Sequence, residues 1–371
     1  MLNPVVSSLS GDGESYGAVG FTDWYTDLRV AVQNHVDHFV RARCAEHLAG
    51  TGADVAARAL IEATSGGKGV RPAYMYLGWL CGAEDSECAV RAVGSAELLH
   101  AFALIQDDVM DDSPRRRGRA AVHMRMTQWH RDRGLPGSSR RFGESAAVLL
   151  GDLCLVWAEQ MLRDSGVGDA ALTRVWPRYD DMRSELAVGQ LADLTNDIRG
   201  YPSLTEVFDI AQRKSGNYTV RRPLELGAAM AGCTPPVVDI LGDYGRLVGE
   251  AFQLRDDVLG VFGNPAVTGK PTGEDLRERK ATTLIVLAQQ LGGPKLRARL
   301  NRLWRNPIID DAAAVAEGRA VITASGAHRR AEQMIADRVG AAERLLEDAD
   351  LDDTVATRLR AMARLCTDRR N

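Results

Sequence analysis

The chain has 371 residues, of which 45% are hydrophobic and 26% charged, a globular composition that excludes a disordered, collagen-like or disulfide-stapled protein. Its formal net charge of −4 leaves no overall basic field for non-specific nucleic-acid binding, so no nucleic-acid partner is expected. Six scattered cysteines without a C-x-x-C pair read as reduced thiols and point to a cytoplasmic protein. No signal peptide is expected from the N-terminus. No membrane span is expected either: the nearest stretch, 145–162, carries Asp152 and Glu159.

Residues 1–23 are rich in Ser and Gly and lack apolar periodicity, which predicts a mobile arm. From 24 to 48 apolar residues recur at helical spacing (Leu28, Val32, Val36, Phe39, Val40). Helical patterns then follow at 53–64, 71–82, 88–112, 119–131, 143–164, 169–194, 204–213, 217–231, 235–262 and 281–291. Four more cover 297–304, 311–323, 328–347 and 351–368. Gly/Pro-rich punctuation separates them at 65–69, 133–139, 233–236 and 263–273. No alternating strand pair, fixed-period repeat or linker is visible. The expectation is a single all-α domain, 24–371, with helices packed around a common apolar interior.

The most informative segment ends the 88–112 helix. Asp107, Asp108, Asp111 and Asp112 fall within six residues, one residue after the apolar run AFALI. Asp107 and Asp111 are i and i+4 and share a face, and His100, two turns earlier, lies on that face too. Such crowding is either a solvated helix end or a cation site. The apolar lead-in and the arginines Arg115, Arg116 and Arg117 favour the cation, and hard oxygen ligands suit Mg²⁺ bound together with substrate phosphates. A second acidic pair, Asp256 and Asp257 in FQLRDDVLG, ends another helix; a plain helix surface is the alternative there.

Cations complement the acids. GGKGVRP at 66–72 opens a helix, where glycines and free backbone N–H groups can receive an anion beside Lys68 and Arg71. A plain glycine turn is the alternative, and the Walker spacing is absent. Lysine is scarce: of 46 Lys plus Arg only five are Lys, at 68, 214, 270, 280 and 295. Lysine is a compact, strongly hydrated point charge, and Lys214, Lys270 and Lys280 lie in KSGNYT, TGKPTG and RERKATT. Two acid clusters and several cation clusters on a helical scaffold equip a protein for a diphosphate substrate with Mg²⁺.

Together these motifs resemble the trans-isoprenyl diphosphate synthases, which condense isopentenyl diphosphate head-to-tail with allylic diphosphates. GGKGVRP is similar to that family's GGKxxRP, and DDVMDDSPRRRG to its first aspartate-rich motif. GQLAD at 189–193, KSGNYT at 214–219, FQLRDD with the following GNPAVTGKP, and SGAHRRAEQMI at 325–335 match further stretches in order. The resemblance implies an isoprenoid-synthase helical bundle around a central cavity, and a homodimer. It implies that Lys68, Arg71, His100 and Arg117 bind isopentenyl diphosphate. Arg116, Lys214, Ser215, Gln253, Lys270 and Lys280 then hold the allylic diphosphate. Asp107, Asp111 and Asp256 carry magnesium, with Asp108 and Asp257 in the same metal set and Gln190 and Asp193 in support. Three departures stand out: Gly69 replaces a frequent Arg, Ser215 a Thr, and Gly260 the third Asp of the second motif.

The implied reaction is ionisation, condensation and proton loss, needing no protein nucleophile. The family's length rule places an aromatic residue five before the first Asp to limit growth, and a second one four before to limit it sooner. Phe102 fills the first position and Ala103 leaves the second small, with Leu99 a turn further back. That pattern implies a C20 product, geranylgeranyl diphosphate, with farnesyl or C25 synthesis as alternatives. A class I terpene cyclase would need Ser and Glu where Gly200 and Leu204 follow Asn196-Asp197, and would not need GGKGVRP. A non-catalytic partner subunit would not need every acid and cation present here.

Overall fold

The computed structural model describes residues 18–50, 54–196, 202–264, 273–277, 279–305 and 312–368. Helices α1 (Ala18–His47), α2 (Asp54–Ala63), α3 (Val70–Leu80) and α4 (Glu87–Met110) lead into a two-stranded hairpin, β1 (Arg115–Arg116) and β2 (Arg119–Ala120). After it come α5 (Val122–Asp132), α6 (Ser139–Arg163), α7 (Asp169–Asn196) and α8 (Leu204–Ala211). A π-helix, Gln212–Arg221, continues directly into α9 (Arg222–Ala231). The remainder is α10 (Pro235–Phe262), α11 (Glu274–Arg277), α12 (Thr283–Leu291), α13 (Pro294–Arg305), α14 (Ala312–Ser325), α15 (Ala327–Glu347) and α16 (Asp353–Thr367). The all-α class expected from periodicity is the class observed.

The chain forms two compact units. One takes in the described residues up to Arg174 together with Gly227–Gly232; the other takes in Val175–Leu226 and the described residues from Cys233 onward. Two of the three crossings fall inside helices, since α7 and α9 run through them, and the third, after Gly232, falls at the Pro-rich stretch that leads into α10.

In the first unit, α4 is apolar nearly all round, the pattern of a buried helix. Val93, Leu98 and Leu99 are fully enclosed, and the helix packs chiefly on α6, with α1 and α3 also against it. Length and hydropathy alone would let α4 and α6 cross a membrane, but 67% and 44% of their apolar windows are buried against protein. In the second unit α10 plays the central part, packed on α15 and on the π-helix. Its core joins Leu254, Val258 and Val261 to Leu276, Leu284, Ile285 and Ile335.

Three local expectations change. The helix begins at Ala18 rather than 24, because Phe21 stacks on Tyr25 and lies 5.9 Å from the Trp24 ring, extending the packed face by a turn. Residues 1–17 of the expected arm lie outside the described residues. Residues 119–120 pair as a strand instead of starting a helix. The break expected at 214–216 is a wide π-turn instead, so the backbone runs on unbroken.

Candidate active site

The end of α4 carries the first acidic cluster. Asp111 caps the helix, its N–H donating to the Asp107 carbonyl at 2.8 Å. The hairpin that follows turns through Arg117 and Gly118, at φ 50° and 76°. Two positive φ values make the tight turn that suits strand twist, and a non-glycine there costs about 1 kcal/mol or more. The strain is held in place by the two arginines, which reach in different directions. Arg116 donates from Nε to Asp108 at 2.7 Å and pairs through Nη2 with Asp107 at 3.3 Å. Arg117 donates to the Ser65 carbonyl at 2.9 Å. One short hairpin therefore ties the acids to the glycine-rich loop. Burial pushes the Asp108 carboxyl up, against the pull of Arg116.

That loop runs from Gly66 to Gly69, and both ends have positive φ, 75° and 71°. Gly69 is the N-cap of α3, so the residue that replaces a family arginine occupies a backbone geometry that glycine takes without strain. The Lys68 side chain is exposed, while its carbonyl accepts from the Tyr25 hydroxyl. Beneath the loop lies Glu97, 6% exposed. A Cβ on Gly67 would collide with the Glu97 carboxylate, so this acid braces the loop from α4. Burial pushes Glu97 up, with Arg71 and Arg117 opposing. His100, one turn on, is held well below the ordinary imidazole value by burial and then by Arg71, Arg117 and Arg116. It is a neutral ring among cations.

Alongside is a cavity of about 230 Å³. Ala59, Ala63, Ala101 and Leu104 give it an apolar floor, and Arg116, Arg117, Arg119 and Arg125 line it with Glu62 and Asp108. Glu62 engages Arg125 through both oxygens, at 2.7 and 3.1 Å. Among the chain-length candidates, Leu99 is wholly buried, while Phe102 and Ala103 are half-buried.

In the second unit the π-helix presents Lys214, whose Nζ pairs with Asp193 at 2.6 Å. The approach depends on Gly189 of α7: a Cβ there would meet the Lys214 nitrogen and the Arg213 carbonyl carbon. Glu185 holds the π-helix through Asn217 at 2.5 Å and the start of α9 through Arg222 at 2.8 Å. Ser215 is half-buried beside Lys214, and Gln190 is likewise half-buried on α7.

The second acidic pair is anchored more heavily. Asp257 is 5% exposed. It accepts from the Gln253 amide at 2.9 Å and from the Thr283 N–H at the start of α12 at 3.0 Å. Both Asp257 and Gln253 thereby have structural work besides the roles the resemblance implies. Burial pushes Asp257 up to about 6, although both hydrogen bonds oppose it. Just before the pair, Arg255 is fixed by Glu332 at 2.7 and 2.8 Å and by the Thr367 carbonyl at 2.7 Å. Lys280 stands two residues before the α12 N-cap, Thr282; Lys270 lies outside the described residues. Sequence reading missed Glu97, although its place one turn before His100 was a usable signal. It also missed Arg255, whose partners are remote in the chain.

Among the described residues no three His, Cys, Asp or Glu side chains converge to hold a metal by themselves. Mg²⁺ commonly takes one or two carboxylates and completes its shell with phosphate and water.

A family model for polyprenyl synthetases matches residues 54–317, and this chain belongs to that family. A short chain isoprenyl diphosphate synthase of Methanothermobacter thermautotrophicus is 32% identical over 79% of this chain and 85% of its own. The (2E,6E)-farnesyl diphosphate synthase of Mycobacterium tuberculosis is 35% identical over 61% of this chain, but the match spans only 58% of that protein. Among solved structures, the geranylgeranyl pyrophosphate synthase of Corynebacterium glutamicum, complexed with isoprenyl diphosphate and magnesium, superposes with a TM-score of 0.88 at 36% identity. That alignment covers 93% of this chain and 99% of that one.

Proposed function

We propose that this chain is a magnesium-dependent prenyltransferase that condenses isopentenyl diphosphate with allylic diphosphates, chiefly to geranylgeranyl diphosphate. The observation that carries the reading is the Arg116–Arg117 hairpin, which links the first acidic cluster to a cationic glycine loop within one unit. Lys68, Arg71 and Arg117, with neutral His100, would hold isopentenyl diphosphate. Arg116, Lys214, Ser215, Gln253, Lys270 and Lys280 would take the allylic diphosphate, and Gln190 and Asp193 would steady that shell.

Asp107, Asp111 and Asp256 are the carboxylates that would hold Mg²⁺, with Asp108 and Asp257 in support. The metal would supply positive charge where it develops on the leaving diphosphate. The chain's own cations do the same from fixed positions: preorganised charge in a water-poor site is worth far more than in water. The allylic C–O bond breaks with its electron pair passing to the diphosphate. The alkene of isopentenyl diphosphate closes the new C–C bond, and a proton is then lost to the released diphosphate. Isopentenyl diphosphate is positioned by Arg71 and the braced loop, and apolar α4 excludes water that would quench the cation.

We place the protein in the cytoplasm as a homodimer, with 24–371 acting as one catalytic domain. Val148, Leu149 and Val156 on α6 are 37%, 65% and 61% exposed, an apolar face that a second copy would cover. The test is condensation by the purified chain with and without Mg²⁺, with the mass of the product read from each allylic starter. A Mg²⁺-dependent C20 diphosphate is expected. A cyclic hydrocarbon, or no turnover, would overturn the reading.

A further inference from the structure

On α4, Asp107 has a second carboxylate one turn on, at Asp111. On α10, the residue one turn beyond Asp256 is Gly260, which has no side chain. Yet that space is filled. The Asp275 carboxylate occupies the place where a Cβ on Gly260 would stand, with all three of its atoms within 2.8 Å of that point. Any side chain at 260 would displace it.

Asp275 is brought there by a short, well-anchored element. Leu276, 1% exposed, plugs α11 into the core among Val258, Val261 and Val315. Gly273, at φ 72°, makes the turn into α11, and the Lys280 N–H donates to the Asp275 carbonyl at 2.9 Å. The buried leucine fixes its neighbour, and the neighbour's carboxylate is set against α10. It remains partly open to solvent. Because i and i+4 share a helix face, a group seated at Gly260 stands on the face of Asp256.

We infer that Asp275 supplies the second unit's missing carboxylate, contributing from α11 the negative charge toward magnesium and diphosphate that α4 draws from Asp111. Gly260 is the residue that makes room for it. The inference rests on the magnesium–diphosphate reading proposed above. It makes positions 260 and 275 exchangeable: one carboxylate is needed, from either residue, but not two.

The experiment titrates Mg²⁺ against full-length protein in fixed inorganic diphosphate and reads the thermal midpoint, so no turnover is required. Asp275→Asn, nearly isosteric, should leave metal-free melting unchanged and raise the Mg²⁺ midpoint by about 10–100-fold, the usual cost of losing a supporting ligand. Gly260→Asp alone should also weaken the response, since two carboxylates contend for one space. The double variant Gly260→Asp/Asp275→Gly should recover most of what Asp275→Asn loses. A wild-type Mg²⁺ midpoint in Asp275→Asn, or a double variant no better than Asp275→Asn, would overturn the inference while leaving the site reading intact. No Mg²⁺-dependent stabilisation in the wild type would overturn the site reading, and this inference with it.

Discussion

The two acidic clusters are held in different ways. The first is mostly local: four aspartates within six residues end α4, and Arg116, the counter-cation of Asp108 and Asp107, is only eight or nine residues on, though Asp112 pairs with the more distant Arg140. The second is assembled from afar. Asp257 leans on Thr283, 26 residues away, and Arg255 on Glu332 and Thr367, 77 and 112 away. A neighbouring cation neutralises carboxylates cheaply and can be given up to a ligand. Burial against α12 fixes position but penalises the charge. Asp108 is buried as deeply as Asp257, but Asp107 and Asp111 beside it are more open, so the first cluster keeps acids placed to exchange partners while the second is held still.

The sharpest way to break that contrast is to remove the exchanging acid. Asp107→Ala should slow condensation by about a thousandfold or more, since metal-based charge stabilisation is worth several kcal/mol. Single-turnover rates at saturating substrates and Mg²⁺ measure it. Near-normal turnover would mean that the first cluster does not stabilise the leaving group.

Next comes the cost of holding Asp257 still. Its folded carboxyl keeps a proton up to about pH 6, while its reference value is 3.8. Deprotonation therefore opposes folding: the penalty is absent below 3.8, grows between the two values and is complete above 6. Asp257→Asn offers the Gln253 amide and the Thr283 N–H only one oxygen, a fixed cost at every pH. Relative to its own difference from the wild type at pH 4, it should gain on the order of 2–3 kcal/mol at pH 7 in the metal-free protein. The gain should shrink as pH falls from 6 towards 4. Denaturant melts at several pH values check it, and a pH-independent difference would disprove the burial account.

A smaller effect sorts the cations. Arg71→Ala should raise KM for isopentenyl diphosphate by about tenfold or more while sparing the allylic KM, the loss of a charge-assisted hydrogen bond. Lys214→Ala should act on the allylic substrate or on kcat instead. Steady-state kinetics with each substrate varied would show it; equal effects on both would merge the two roles.

The last change alters product rather than rate. If the growing chain runs along α4 away from the first cluster, Ala103→Phe should shorten the main product to C15 and Phe102→Ala lengthen it past C20. Mass spectra of the products decide. No shift in either variant would place the stop on another helix.

Periodicity and short motifs were enough for the helical class, the acidic end of α4 and the glycine loop, because each depends on residues within two turns of one another. Helix phase alone puts Asp107, Asp111 and His100 on one face. The hairpin escaped that reading because it spans only two residues per strand, with a non-glycine at positive φ. The π-helix escaped because a wide turn leaves no mark in apolar spacing. Glu97 looked like an ordinary helix residue until Gly67 was folded onto it, and Arg255 like an exposed charge until Glu332 and Thr367 arrived. At Gly260 the sequence shows only a missing aspartate. The fold fills the gap with Asp275, because a buried Leu276 carries its neighbour's carboxylate to α10, and contacts made by a distant segment leave no trace in local pattern.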